Sequence, residues 1–264
     1  MTDAEYQRVA LVTGGGVRLG RALCLALAES GWDVAVHYGS SEAPAEEVAA
    51  RIRELGRAAL PVQGDLSHPD APDRVVAAVR DRFGRLDLVV NSAASFDTHS
   101  LEEAGPDVWD AVMDLNVRAP HLLVRAAAPL LRVARGAVVN IVDLSAFEAW
   151  TEHPVHAVSK AALGHLTRIQ ARALAPEIRV NAVAPGAVLP PDDYPAERLD
   201  ALRRQTPLGR LGSPEDVVRA VLFLAGSPFI TGHVLTVDGG RLLGPTGPPR
   251  GRSGRGGPSR PEDG

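Results

Sequence analysis

The chain has one cysteine, one lysine, few aromatic residues and no long apolar run, and each scarcity excludes something. The lone thiol, Cys24, forms no internal disulfide, so no disulfide framework is expected, and its place on an apolar helix face makes it a small core residue. A bilayer span needs about 20 consecutive apolar residues, and none is present; the short polar start, Met1 to Arg8, has no signal-peptide pattern. A cytoplasmic location without membrane contact is the expectation. The formal net charge of −4 gives no reason to expect nucleic acid as a partner. No compact ligand spacing is present either. His153, His156, Asp143 and Glu152 are suitable residue types, but an active-site histidine plus a loop histidine is the better reading, and no metal is expected. Lysine is the most informative scarcity. Of 28 basic residues only Lys160 is lysine, so that position is read as needing a compact, tunable ammonium that a guanidinium cannot mimic.

What is plentiful sets the architecture. With 45% hydrophobic and 23% charged residues, the 264-residue chain fits one α/β domain with a full core. Val9 to Val12 reads as a buried parallel strand. It ends in Thr13-Gly14-Gly15-Gly16-Val17-Arg18-Leu19-Gly20, where an amphipathic helix pattern opens. Glycines at such a junction let the backbone turn tightly and approach a pyrophosphate, whose charge meets the helix start. Strand-like runs follow at 33–38, 58–63, 86–91, 136–142, 178–183 and 233–237. Helical stretches separate them at 42–55, 71–83, 108–133, 155–175 and 214–225, with Pro120 and Pro129 predicting a bend in the third. The alternation predicts an α/β fold: a single doubly wound parallel sheet, Rossmann-like, with helices on both faces, over residues 1–243. Residues 244–264 are rich in Gly, Pro and Arg with almost nothing apolar to bury, and a disordered, solvated tail is expected. The proline-rich stretch from Pro190 to Arg210 is expected to be a flap over the ligand site.

Ligands of such sheets gather at the carboxyl ends of the strands. The end of the second strand, His37-Tyr38-Gly39-Ser40-Ser41, has no carboxylate to hold a ribose 2′-hydroxyl, whereas Arg18 is placed to pair with a 2′-phosphate. NADPH is therefore the expected cofactor, with an exposed surface arginine as the alternative for Arg18.

Thr13-Gly14 with Gly20, Asp65-Leu66, Asn91-Ser92-Ala93-Ala94, Asn116, Lys160, Pro185-Gly186 and Asp238-Gly239-Gly240 together resemble the short-chain dehydrogenase/reductase family, across roughly Val9 to Leu243. Within it, Arg18-Leu19-Gly20, His37 with Ser41, Ser95-Phe96, Asp143 and Asp192-Asp193 look like the pteridine reductase branch. The resemblance implies a cofactor site built from Gly14, Arg18, Leu19, Gly20, His37 and Ser41, with Asp65 reading the adenine amino group and Leu66 covering the ring. Asn91 and Ala93 would line the adenosine ribose, and Pro185 and Gly186 would border the nicotinamide. Lys160 would bond the nicotinamide ribose, Asn116 would hold a proton-relaying water, and the chain would form a homotetramer acting on a small-molecule substrate. Phe96 would stack a planar substrate ring, or else anchor its loop, and Tyr194 would sit on the flap. Ala94 departs from the pattern, because that branch often has serine there.

The larger departure is catalytic. The family expects Tyr-x-x-x-Lys, and this chain has His156-Ala157-Val158-Ser159-Lys160. Residues four apart share a helix face, so His156 and Lys160 can serve one site. Asp143 precedes His156 by 13 residues, the interval at which pteridine reductases place an aspartate before the tyrosine. An imidazole beside an ammonium is mostly neutral, and so a weaker acid toward a ketone oxygen than the usual activated phenol. Three readings stay open. The substrate has an easily protonated C=N bond, with Asp143 or water as donor; or His156 serves as acid/base for carbonyls in a 3-oxoacyl type of reductase; or the protein binds NADPH without turnover, as a sensor or partner.

Overall fold

The computed structural model describes residues 7–96, 98–190 and 193–244. Asp192 and, of the tail expected over 244–264, residues 245–264 lie outside the described residues. The elements run β1 (Arg8–Val12), α1 (Arg18–Glu29), β2 (Trp32–Tyr38), α2 (Glu42–Glu54), β3 (Ala59–Gln63), α3 (Ala71–Phe83) and β4 (Leu88–Asn91). They continue with α4 (Pro106–Met113), α5 (Ala119–Ala134), β5 (Ala137–Ile141), α6 (Pro154–Leu174), β6 (Arg179–Pro185), α7 (Ala196–Gln205), α8 (Pro214–Gly226) and β7 (Val234–Val237). The seven strands form one sheet in the order β3-β2-β1-β4-β5-β6-β7, every pair parallel. The expected doubly wound sheet is therefore present, with its direction of winding reversing between β1 and β4.

Burial on both faces explains the unbroken apolar runs. In β1, Ala10 and Val12 face a core shared with Leu23 and Leu27 of α1, Val48 and Ile52 of α2, and Val217 and Val221 of α8. Val9 and Leu11 face the opposite core, with Val75 and Val79 of α3 and Leu123 and Leu131 of α5. A strand alternates its side chains, so a strand covered on both sides is apolar at every position. Cys24 is fully buried in the first core, as its helix position implies, and burial pushes its thiol pKa far up.

Two segments differ from the sequence reading. The stretch expected as one bent helix over 108–133 is α4 and α5 joined by a π-helical turn, Asp114–Arg118. Pro120 sits at the start of α5, directly after the π turn, and Pro129 lies inside the helix. The flap contains the helix α7, which fully buries none of its residues and whose Leu199 and Leu202 are half-buried.

Candidate active site

The glycine loop joins β1 to α1 by direct backbone packing. Gly14 has φ +65°, and a methyl on it would meet Ala93 Cα at 3.2 Å; a methyl on Gly20 would lie 2.0 Å from the Gly14 carbonyl oxygen. The first turn of α1 has no acidic residue, and Val17 at its N-cap supplies no side-chain acceptor. The helix start thus presents N–H groups beside a backbone-lined cradle, the donor set that a pyrophosphate requires. Arg18 has φ +47°, a left-handed conformation that suits glycine better than arginine. Its guanidinium donates to the Leu189 carbonyl at the root of the flap.

The remaining cofactor candidates line the same edge. His37 is buried, its Nε2 lies 2.9 Å from the Gly64 carbonyl oxygen, and its Nδ1 accepts from the Gly14 N–H at 3.3 Å. That pattern requires the neutral Nε2–H tautomer. Burial holds the His37 imidazole below the ordinary histidine range, against the opposing effect of its bond to Gly64. His37 therefore pins the glycine loop to the end of β3. Ser41 is half-buried at the N-cap of α2. The Asp65 carboxylate accepts from the Ser67 hydroxyl and N–H at 2.7 and 3.0 Å, which holds it below its usual range, and Leu66 is buried. The Asn91 amide turns inward to Asn140 Oδ1 at 2.7 Å, and Asn140 passes the chain on to Thr167 at 2.9 Å. Ala93 and Ser92 donate their N–H groups to the Thr13 hydroxyl, both at 2.9 Å. Pro185 ends β6, and Gly186 packs on Asp238, whose Cα would be 3.0 Å from an added methyl.

The reactive groups converge from β5, α6 and the π turn. His156 Nε2 lies 2.7 Å from Asp143 Oδ2, and its Nδ1 lies 2.9 Å from the Ser95 carbonyl oxygen. A carbonyl only accepts, so Nδ1 carries a hydrogen, and the contact with Asp143 holds one further proton. Asp143 also accepts from the N–H of Ser145 at 2.8 Å and from its hydroxyl. Burial acts to raise the Asp143 carboxyl, but His156, Lys160 and Ser145 together hold it below the usual carboxylate range. Lys160 is buried and donates to the Ile141 carbonyl at 3.0 Å. Desolvation lowers its ammonium and the charge of Asp143 partly restores it. Asn116, carried inward by the π turn, accepts from the Ser95 N–H at 2.9 Å and donates to the Ser95 carbonyl at 3.1 Å and to Ser159 Oγ at 3.0 Å. Both its amide hydrogens are taken up by protein, so the water relay expected of Asn116 has only the remaining acceptor capacity of Oδ1.

Of these groups Asp143 borders a cavity of about 700 Å³, whose walls also include Arg18, Phe96, Trp150, His153, Gly186 and Tyr194. Its openness to Asp143 and not to His156 is the main geometric surprise: the Asp143 side chain is 20% exposed and that of His156 only 2%. The histidine stands behind the aspartate. Phe96 packs edge-on to His156 with centroids 4.7 Å apart and against His153 at 4.3 Å, leaving half its surface exposed.

A family model described as enoyl-(acyl carrier protein) reductase matches residues 16–241 of this chain. The chain belongs to the short-chain dehydrogenases/reductases. It is 38% identical to an uncharacterized oxidoreductase of Mycobacterium tuberculosis over 242 residues, 88% of this chain and 91% of that one. It is 34% identical to a 3-oxoacyl-[acyl-carrier-protein] reductase of Synechocystis over 243 residues, 89% of this chain and 97% of that one. A blue fluorescent protein from a metagenomic library, solved in complex with NADPH, superposes with a TM-score of 0.83 at 34% identity, covering 89% and 97% of the two chains. Enzymes of this short-chain family are oxidoreductases that use a nicotinamide cofactor, and the cradle at the start of α1 suits one.

Several structural supports of this short-chain dehydrogenase/reductase site were not anticipated. Asn140, Thr167, Ser145 and Ser159 all hold site residues through buried or half-buried bonds. Their one signal in the sequence is a polar side chain within an otherwise apolar run, as at Asn140 in Ala137–Ile141. Among the described residues no cluster of three metal-ligating side chains occurs, and no helix is long and apolar enough to cross a membrane.

Proposed function

We propose that the protein is an NADPH-dependent reductase acting on the C=N or C=O group of a planar, pteridine-like small molecule, with Asp143 delivering the proton. The observation that carries this reading is the order of the dyad: Asp143 on the cavity wall beside Phe96, with His156 Nε2 behind it at 2.7 Å. Bound NADPH would supply hydride from its nicotinamide C4. Gly14, Leu19 and Gly20 would receive the phosphates, Pro185 and Gly186 would flank the nicotinamide, and Lys160 would hold the adjoining ribose. The protein's own part is to place a proton opposite the incoming hydride. Because Nδ1 is committed to the Ser95 carbonyl, the proton on the other side of the ring is shared only with Asp143. Asp143 gives it to the substrate nitrogen or oxygen, His156 is left neutral, and water in the cavity reloads the pair through the exposed face of Asp143. Phe96 offers its open face to a flat ring. Absence of a carboxylate at the end of β2 supports NADPH over NADH.

A second reading, a 3-oxoacyl type of reductase, is favoured by the 34% identity to the Synechocystis enzyme of that name. Following NADPH and NADH consumption with dihydrobiopterin, dihydrofolate and a 3-oxoacyl thioester tests both. Turnover of the pterins alone supports the proposal, turnover of the thioester alone replaces it with the second reading, and NADPH binding without any turnover makes the protein a non-catalytic binder.

A further inference from the structure

We infer that Arg241 is a specificity-determining residue that selects substrates carrying a carboxylate remote from the reduced bond. The inference rests on the proposed reductase reading and deepens it by naming a substrate class.

The short turn after β7 presents Arg241 rigidly. Gly239 and Gly240 have φ +63° and +88°, and the Asp238 carboxylate accepts from the N–H groups of Gly240 and Leu242, each at 2.9 Å. A methyl on Gly239 would lie 2.5 Å from Thr206 Cγ2, so the turn is packed in place. The side chain that leaves it forms part of the cavity wall and is only 19% exposed.

The guanidinium there has donors that the protein leaves open. Buried N–H groups call for acceptors, and the fork has five of them. Among the described residues the Arg241 guanidinium makes no hydrogen bond. Its carboxylate neighbour, Glu148 Oε2, stands 3.6 Å from Nη2, and that oxygen is committed to Trp150 Nε1 at 2.8 Å. Arg241 and Trp150 line the cavity, and Glu148 does not. Glu148 therefore orients the fork from behind, and the open donors face the space in front. A planar fork of this kind matches a carboxylate bidentately.

A row of rings leads to Arg241 from the reacting end. Phe96, beside the dyad, lies 4.3 Å from the His153 ring, and His153 lies 6.4 Å from the Trp150 ring. Arg241 Cζ stands 6.0 Å from the centroid of that indole. A flat substrate reacting at Asp143 against Phe96 thus reaches the fork through a substituent that spans His153 and Trp150. A neutral ring that ends at Phe96 leaves the fork to water.

Calorimetry on the NADP⁺-saturated protein tests this with three probes. Dihydrofolate has carboxylates beyond a second ring, its bis-amide has the same shape without the charge, and dihydrobiopterin has neither. In the wild type, dihydrofolate is expected to bind at least about tenfold more tightly than the bis-amide, the factor that a hydrogen bond to a charged group carries. This comparison needs no variant. Arg241→Gln is expected to bring that ratio within about twofold and to raise the dihydrofolate KM about tenfold with kcat nearly unchanged. Its affinity for dihydrobiopterin is expected to match the wild type. Equal wild-type affinity for dihydrofolate and its bis-amide overturns the inference. An equal loss of affinity for all three probes in Arg241→Gln also overturns it, and makes Arg241 a support for Trp150; in both cases the reductase reading stands. If none of the three probes binds, the pteridine-like reading itself fails, and the inference with it.

Discussion

The resemblance leads one to expect tyrosine at position 156, and the geometry predicts that His156→Tyr harms this protein. The imidazole spans two acceptors at once, Asp143 Oδ2 at 2.7 Å and the Ser95 carbonyl oxygen at 2.9 Å. A phenol has one hydroxyl and one hydrogen to donate, so it serves one of the two. Ser95 keeps the Asn116 amide at 3.1 Å and Asp143 keeps Ser145, so neither acceptor is orphaned outright. The loss is then one net hydrogen bond plus the strain of a longer ring in a buried slot. Together these come to about 2 kcal/mol, within the usual range for a buried polar substitution. For a chain of this size that lowers Tm by about 4–8 °C at roughly 2–4 °C per kcal/mol. Turnover should fall at least about tenfold, because the proton behind Asp143 is no longer held by a base that can share it. Differential scanning fluorimetry and steady-state NADPH oxidation read the two effects. A variant that turns over faster than the wild type would refute the reasoning and make His156 a degraded tyrosine.

Other outcomes follow from the same geometry. Asp143→Asn should lower kcat by about 10²–10⁴-fold, with NADPH affinity, measured by fluorescence titration, nearly unchanged. Lys160→Met should raise Tm, since a desolvated ammonium without a direct carboxylate contact is replaced by an apolar chain, while NADPH affinity falls more than about tenfold. Acid should act on the nucleotide loop through His37. Its folded-state pKa is lowered, so the unfolded chain takes the proton first; the stability contribution is complete above the ordinary value of 6.5 and is lost as pH falls below it. His37→Gln, whose amide can serve both Gly64 and Gly14, should flatten the Tm profile in that range. Cys24 should stay unreactive toward maleimides until the chain unfolds.

The sheet was legible because two-sided burial writes continuous apolar strands and a 3.6-residue period between them. The glycine loop was legible because backbone packed on backbone leaves no alternative residue at Gly20. The pairing of Asp143 with His156 was foreshadowed by their interval of 13 residues, but its order was not, since spacing does not say which side chain faces solvent. The sequence points to His37 and Asn91 as cofactor-site residues but does not disclose that their side chains bond Gly14, Gly64 and Asn140. A polar residue at a strand end looks the same whether it turns inward or outward. The helix α7 and the π turn had weak signatures, the first because its apolar side is only Leu199 and Leu202, half-buried, the second because one extra residue per turn barely disturbs helical periodicity.

The detachment of α7 from the interior has a practical side. An element that shares no side chain with either core can be exchanged, lengthened or shortened with little penalty in folding. Substrate range in this scaffold is therefore open to grafting at 196–205, with the strands and their dyad left as they are.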